Sequence, residues 1–526
     1  MSNAFATSVG SGALTLRDAV AIAAVCEFGG AVLMGGAVTE TIRKGIADVS
    51  QYTAEPEVLM YGMMCVLLAV GIWLLVATKL GMPVSTTHST VGAVMGMSMV
   101  ARGSNSVYWG KTTTRAFPWL TGVAQITLSW VFSPILSAVT ASVLFVILRA
   151  SVLRAKHPLH AALVAFPIIV GLTTTLNAYL LISKGDAIND GSGRWGVAQT
   201  AGVSFAAGAG TGAVTAALTP ALRRRVDALT RASKLDKTAR KTKTAEVVVS
   251  IGAGDVDDRS DFRGERRDSF TSFQGGFGTN RNVSSGSVDT SEVSAHSSGG
   301  GTDFGCHYGL REWALPQLVP RYTETTKSVV ENDDDTVRSI HANAEMFDAQ
   351  TEMTLTYLQV FTACVDSFAH GANDVANACG PFAAIWGIYR TGETTVDVSV
   401  PVWVLVLGGF GLVFGLASLG KNIIKQIGMR LSKITPSRGL CIELGAALVV
   451  LIGTKYGIPL STTHCQVGAT TGVAMLEGSG GVNWRLLSRI LLGWCVTLAI
   501  AALAAAAFTA QGLYAPHITR HARGEL

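Results

Sequence analysis

The sequence predicts an all-α polytopic membrane protein made of two related halves. Each half carries a re-entrant half-helix hairpin, and a large disordered cytoplasmic loop joins them. Three observations predict this. Residues 81–96, GMPVSTTHSTVGAVMG, recur at 457–472 as GIPLSTTHCQVGATTG, identical at ten of sixteen positions. Of the 526 residues 49% are hydrophobic and only 15% charged, with mean hydropathy +0.39, whereas soluble domains carry about 25% charged residues. Long apolar stretches recur at about 18–45, 57–79, 119–149, 160–183, 195–221, 354–389, 401–420, 439–456 and 486–514, judged against the ~20 residues a membrane-spanning helix needs. A polar Ser-Thr-Thr-His cluster duplicated at membrane depth is costly unless it handles something polar. Paired broken helices meeting near the bilayer midplane are the mark of a secondary transporter.

The two half-helices, 83–100 and 459–476, open with Pro83 and Pro459 and place three hydroxyls and a His in the first turn. Proline suits the opening of a helix and Ser or Thr its cap. Ser85, Thr86 and Thr87, and Ser461, Thr462 and Thr463, therefore sit where a helix N-terminus offers free N–H groups and partial positive charge. Two such termini facing each other would cradle an oxyanion. Ordinary capping explains one copy easily and two identical copies poorly. His88 and His464 close each motif, to pin the hydroxyls or to shuttle a proton. Gly92 and Gly96, and Gly468 and Gly472, recur at four-residue spacing, which lets neighbouring backbones come close.

A second motif is GANDVAN at 371–377, preceded by Asp366 and His370. Asn373, Asp374 and Asn377 offer oxygen ligands on a helix that Gly371 is placed to break. Such ligands suit a small hard cation such as Na⁺. The plainer reading is an interhelical hydrogen-bond cluster. Against it stands the cost of an ionised Asp near the membrane centre, about 2.5–3.5 kcal/mol on insertion scales.

Glu27 and Glu443 are lone carboxylates in apolar runs, open to a cation, a proton or a buried Arg; Arg438 offers Glu443 a simple ion pair. They are not repeat partners. Aligning the STTH copies sets Leu67 opposite Glu443, and aligning Phe28-Gly29 with Phe410-Gly411 sets Gly409 opposite Glu27. Trp130 to Pro134 is expected to break a long helix, with Trp494 to Thr497 as the weaker counterpart, serving packing or a hinge. Asp374, Glu27 and Glu443 together would repel an oxyanion. Bound cations or protons remove that repulsion, which is the physical basis of symport.

Composition excludes other classes. The net charge of +5 is modest and the basic runs lack aromatic interleaving, so no nucleic acid is expected. Cys26, Cys65, Cys306, Cys364, Cys379, Cys441, Cys465 and Cys495 show neither CxxC nor metal-type spacing and read as small hydrophobes. No nucleophile–base set or cofactor motif points to an enzyme. Met1 is followed by small and polar residues, without the basic opening of a cleavable signal peptide.

The expected organisation is an N-terminal membrane repeat at 1–221, a loop at 222–350, a C-terminal repeat at 351–514 and a tail at 515–526. The loop opens with a basic run from Arg223 to Lys243 and is rich in Ser, Gly, Asp and Arg at 270–302. Such a segment buries too little apolar surface to order itself, and its basic flank places it in the cytoplasm. The sequon at Asn282 would be unused there. Ser269, Ser272 and the serines at 284–298 are open to phosphorylation, or belong to a plain solvated linker. Arg43 and Lys44, with Arg102, Lys111 and Arg115, do not all fit the cytoplasmic side, so helix-by-helix topology stays open.

GANDVANA at 371–378, PVSTTH and PLSTTH, TETIRKGI at 39–46 and SRGLCIEL at 437–444 together resemble the inorganic phosphate transporter family, the PiT type of sodium–phosphate symporter. The resemblance covers residues 3–221 and 350–514. It implies an inverted-repeat helical membrane protein, usually a homodimer, coupling phosphate to Na⁺; the plasma membrane is the expected location, with an organelle membrane as the alternative. The implied phosphate ligands are Ser85, Thr86, Thr87, Ser461, Thr462, Thr463 and Asn377. Asn373 and Asp374 would hold Na⁺, with Glu27 and Glu443 as further cation-binding carboxylates. H⁺ coupling through His88, His464 and the two Glu is an alternative, as is a form that binds phosphate without moving it. One departure stands out: the family carries its Asn-Asp signature on the first helix of both repeats, whereas here Asn3 aligns with Asn377, and the first copy's Asn-Asp pair and the spanning helix expected before it are missing from the sequence. Either the start lies upstream of Met1 or the chain is a truncated isoform.

Overall fold

The computed structural model describes residues 4–110, 120–183, 196–254, 334–394 and 399–515. Lys111, Arg115, Ser269, Ser272, Asn282, the serines at 284–298 and Cys306 lie outside them.

An apolar stretch in hydrocarbon must satisfy its own backbone, and a helix does so within one segment. Accordingly the described residues are helical, with one isolated bridge between Ala47 and Val107. The first series is α1 (Ala6–Gly10), α2 (Leu16–Met34), α3 (Gly36–Lys44), α4 (Pro56–Lys79), α5 (Thr86–Arg102) and α6 (Gly122–Leu148). Next come α7 (Pro158–Ile182), α8 (Val197–Gly254) and α9 (Asp335–Asn343). The second series is α10 (Ala349–Asp374), α11 (Ala376–Thr391), α12 (Val402–Leu419), α13 (Lys421–Lys425), α14 (Pro436–Lys455), α15 (Thr462–Met475) and α16 (Trp484–Tyr514). Pro56, Pro158 and Pro436 open their helices at the position where a missing N–H costs nothing.

Residues 1–230 and 318–526 form one compact unit, so both expected halves share a single body; residues 231–317 form another. Helix also extends into both ends of the segment expected to lack structure, through α8 to Gly254 and through α9.

Among the described residues seven helices are long and apolar enough to cross a membrane: α4, α6, α7, α8, α12, α14 and α16. The pair α2 and α3, bent by 59° at Gly35, adds an eighth as a broken span. α10 is absent from this set although 354–389 reads as apolar. It carries Thr, Gln, Asp and His on faces buried among other helices rather than against lipid. Its neighbours are α2, α14 and α7. α6, by contrast, exposes Val131, Phe132, Ile135, Leu136, Val139 and Val143, the surface that lipid would cover.

Packing crosses between the two series. α5 lies on α16 and α4, and α15 lies on α6 and α14. The four-residue glycine spacing makes this possible. A Cβ on Gly96 would stand 2.1 Å from the Ala502 carbonyl oxygen, and one on Gly472 would stand 2.6 Å from that of Ala138. Two breaks do not fall where the sequence suggests. α6 runs unbroken through Pro134. The GANDVAN break falls at Val375, four residues beyond Gly371. Gly371 instead admits α2, because a Cβ there would lie 1.9 Å from the Glu27 carbonyl oxygen.

Candidate functional site

The STTH segments become two helix N-termini face to face. Ser85 and Ser461 are extended residues capping α5 and α15; their hydroxyls accept the His88 and His464 backbone N–H groups, each at 3.3 Å. Ser461 Oγ then donates to Ser85 Oγ at 2.8 Å. The third hydroxyls cross over: Thr87 donates to the Leu460 carbonyl at 3.0 Å, and Thr463 approaches the Val84 carbonyl at 3.5 Å.

The middle hydroxyls converge on one carboxylate oxygen. Thr462 Oγ1 and Thr86 Oγ1 donate to Asp374 Oδ2 at 2.9 and 3.3 Å. Asn377 Nδ2 donates to Thr86 Oγ1 at 3.0 Å, and Thr90 Oγ1 to the Asn377 carbonyl at 3.1 Å. Asn373 Nδ2 donates to Asp374 Oδ1 at 2.9 Å and to the Leu460 carbonyl at 2.8 Å, while its oxygen accepts from Leu460 N at 3.3 Å. Both ends of the Asn373 amide are thus engaged by protein in this conformation. Asp374 joins α10 to the N-termini of α5 and α15.

His370, one turn before Asp374, is a bridge. Its Nδ1 donates to Glu27 Oε1 at 2.6 Å, and its Nε2 stands 3.1 Å from Asp374 Oδ2, off the direction of a hydrogen bond. Glu27 Oε2 is buried without a hydrogen-bond partner. Glu27 therefore belongs to the central cluster.

Glu443 is held differently. It accepts from Thr7 at 2.7 Å, Thr362 at 2.7 Å, Gln359 at 3.2 Å and Ser8. The simple ion pair with Arg438 does not form. Arg438 turns instead to Glu477 at 2.6 Å and lies over the rings of Phe145 and Phe347. Four hydrogen-bond donors satisfy Glu443 without a fixed cation.

The His rings do not pin the hydroxyls. His88 packs on Trp130 with centroids 3.7 Å apart, His464 on Trp494 at 3.6 Å, and the two His lie 4.4 Å apart. Each Nδ1 donates to the opposite Trp carbonyl, His88 to Trp494 at 3.3 Å and His464 to Trp130 at 3.1 Å. The WVFSP segment and its counterpart therefore serve packing behind the termini.

A cavity of about 570 Å³ reaches Thr86, Thr90, Asp374 and Asn377 between walls that include Leu67, Leu74, Phe382 and Leu407. Its polar end offers hydroxyl and amide donors beside a carboxylate, able to bind an oxyanion only once that carboxylate is neutralised. Sequence reasoning missed the donors Thr7, Ser8, Gln359 and Thr362 and the bridging role of His370. The available signal was the spacing Gln359, Thr362, Asp366, His370, Asp374 along one helix face.

Comparison with known proteins identifies the family. The model of the phosphate transporter family matches residues 1–505. The phosphate-repressible phosphate permease of Neurospora crassa is 33% identical over 558 residues, covering 96% of this chain and 92% of its own length. The human sodium-dependent phosphate transporter 2 is 30% identical, covering 97% of this chain and 94% of its own. A solved structure described as the sodium-dependent phosphate transporter matches at a TM-score of 0.65 and 27% identity, over 97% of this chain and 92% of that one.

Proposed function

The chain belongs to the phosphate transporter family, and from that premise we propose that it moves inorganic phosphate across a membrane in symport with Na⁺. One observation carries the coupling: Asp374 Oδ2 takes the hydroxyls of both Thr86 and Thr462. The same hydroxyls are the donors that phosphate needs. A cation drawn to Asp374 would take over its charge and release Thr86 and Thr462 to the oxyanion. Phosphate bound there would in turn hold the cation, because an unpaired carboxylate facing an anion is strongly unfavourable.

In this reading Ser85, Thr86, Thr87, Ser461, Thr462 and Thr463, with Asn377, bind phosphate at the two helix N-termini. Asp374, Asn373 and Glu27 supply oxygens to Na⁺, with Asn373 freed from Leu460 as the site opens. Glu443, gripped by α1 and α10, serves as a cation carboxylate only after losing donors. Alternating access then needs the α5 and α15 termini to part on one side at a time. The protein is an integral membrane protein; plasma-membrane location, a homodimer and a cytoplasmic segment at 222–350 belong to this proposal. The chain Glu27–His370–Asp374 is the feature that would carry proton coupling instead.

The test is radiolabelled phosphate uptake into proteoliposomes under an imposed Na⁺, K⁺ or proton gradient, for the parent and for Asp374→Asn. Uptake driven by Na⁺ and lost in Asp374→Asn supports the reading. Uptake driven by the proton gradient alone moves the coupling to H⁺, and normal Na⁺-driven uptake by Asp374→Asn removes the site assignment.

A further inference from the structure

Gln359, Thr362, Asp366, His370 and Asp374 recur along α10 at three- and four-residue spacing, so they share one face of the helix. Gln359 and Thr362 at one end donate to Glu443. His370 and Asp374 at the other belong to the central site. Asp366 lies between them and takes no part in either cluster. It is only 4% exposed, and its Oδ2 is buried with no hydrogen-bond partner.

A buried carboxylate left this way is expensive, because nothing replaces the water it has lost. Asp366 also has Asp374 on the same stripe, Glu443 of α14 held against Gln359 and Thr362, and Glu27 behind His370, so this interior collects carboxylates. His370 already lies between Glu27 and Asp374, and Arg438 is engaged by Glu477. Asp366 lines a small cavity of about 10 Å³ together with His370, Thr462 and Gln466, closed off by Ala4, Ala446 and Val450. That volume suits a single small particle, since about 10–15 Å³ by this measure holds one water.

We propose that Asp366, Thr462 and Gln466 form a further Na⁺ site, distinct from the cation position at Asp374 and lying between it and Glu443. The ligand chemistry favours a cation over simple protonation. Carboxylate, hydroxyl and amide oxygens are the ligands a hard cation takes. No protein group donates to Asp366 Oδ2, so that oxygen is left to face a cation in the cavity. Thr462 also donates to Asp374, so a cation at Asp366 shares a hydroxyl with the central site. Occupancy of the two positions would then be linked.

This inference rests on Na⁺-coupled phosphate transport, and its test separates the two. Na⁺ dependence of phosphate uptake would be measured in proteoliposomes for the parent, Asp366→Asn and Asp366→Glu, at saturating phosphate. The Asn variant should need about tenfold more Na⁺ for half-maximal uptake, the expected effect of losing one charged ligand. Its Hill coefficient for Na⁺ should fall, and the Glu variant should recover most of both. An unchanged Na⁺ half-saturation and Hill coefficient in Asp366→Asn overturns the site, as does a change confined to the pH profile. Gln466→Ala, which keeps the charge, should shift Na⁺ half-saturation in the same direction; it decides the matter if Asp366→Asn fails to fold. If the parent moves no phosphate, protection of the detergent-solubilised protein by Na⁺ against thermal unfolding still reads the site. Protection requiring about tenfold more Na⁺ in Asp366→Asn supports it, and equal protection overturns it.

Discussion

Ser461 donates a hydrogen bond to Ser85 at 2.8 Å although 376 residues separate them. Each serine also caps its own helix, α5 or α15. One contact therefore fixes two helix termini and their separation at once.

Replacing Ser85 or Ser461 by Ala should lower stability by about 1 kcal/mol each, the usual worth of a helix cap. The double variant should cost less than the sum, because the contact is counted in both singles. Thermal unfolding of the four proteins in detergent measures this. Strict additivity would show that the two hydroxyls do not meet.

Thr86→Val and Thr462→Val each remove one of two donors to the same Asp374 oxygen. Each should reduce Na⁺-driven phosphate uptake by roughly ten- to a hundredfold, as loss of a hydrogen bond to a charged group implies. Thr→Ser at either position should restore uptake, since the hydroxyl alone makes the contact. Equal loss in the Val and Ser variants would point to the methyl group and packing.

Gly472→Ala should be poorly tolerated. The new Cβ would lie 2.6 Å from the Ala138 carbonyl oxygen of α6, a backbone atom that cannot rotate away. Overpacking of this kind costs about 1–3 kcal/mol, and the folded yield on gel filtration should drop. Gly29→Ala, with nothing within 4 Å of its new Cβ, is the control and should express normally.

The Arg438–Glu477 pair gives a pH prediction. Burial pushes the Glu477 carboxyl up, but hydrogen bonds from Arg438 and the Glu345 backbone N–H outweigh it, and the Arg438 and Arg149 charges add to them. The carboxyl is held below its ordinary value of 4.5. A carboxyl with a lowered folded pKa contributes stability that is present above 4.5 and lost as pH falls through the folded value. Melting temperature should therefore fall on acidification below that point, and less steeply in Glu477→Gln. Arg438→Met, which removes the ion pair but leaves Glu477 its hydrogen bond from the Glu345 N–H, should cost about 3 kcal/mol.

Much of the fold was legible because its physics is local. Apolar stretches set the helices, prolines set their openings, and the repeated STTH showed two termini that belong together. The polar interior was harder to read. Arg438 stands five residues before Glu443 in the chain, yet its guanidinium points to Glu477, and Glu443 is met by α1 and α10 from distant sequence. Gly371 looked like a helix break and proved to be a contact point, because a missing side chain serves either purpose.

The sequence alone determined that this chain lives in a membrane, that its chemistry is doubled, and which residue types carry it. Periodicity, charge deficit and motif identity are properties of the string. Only the tertiary structure decided which donor meets which acceptor. Asp374 joins α5 and α15, His370 links it to Glu27, and Asp366 is left with an unanswered oxygen. Those outcomes depend on how α2, α10, α5 and α15 cross, and crossing is set by side-chain packing summed over the whole bundle, which no local stretch of sequence contains.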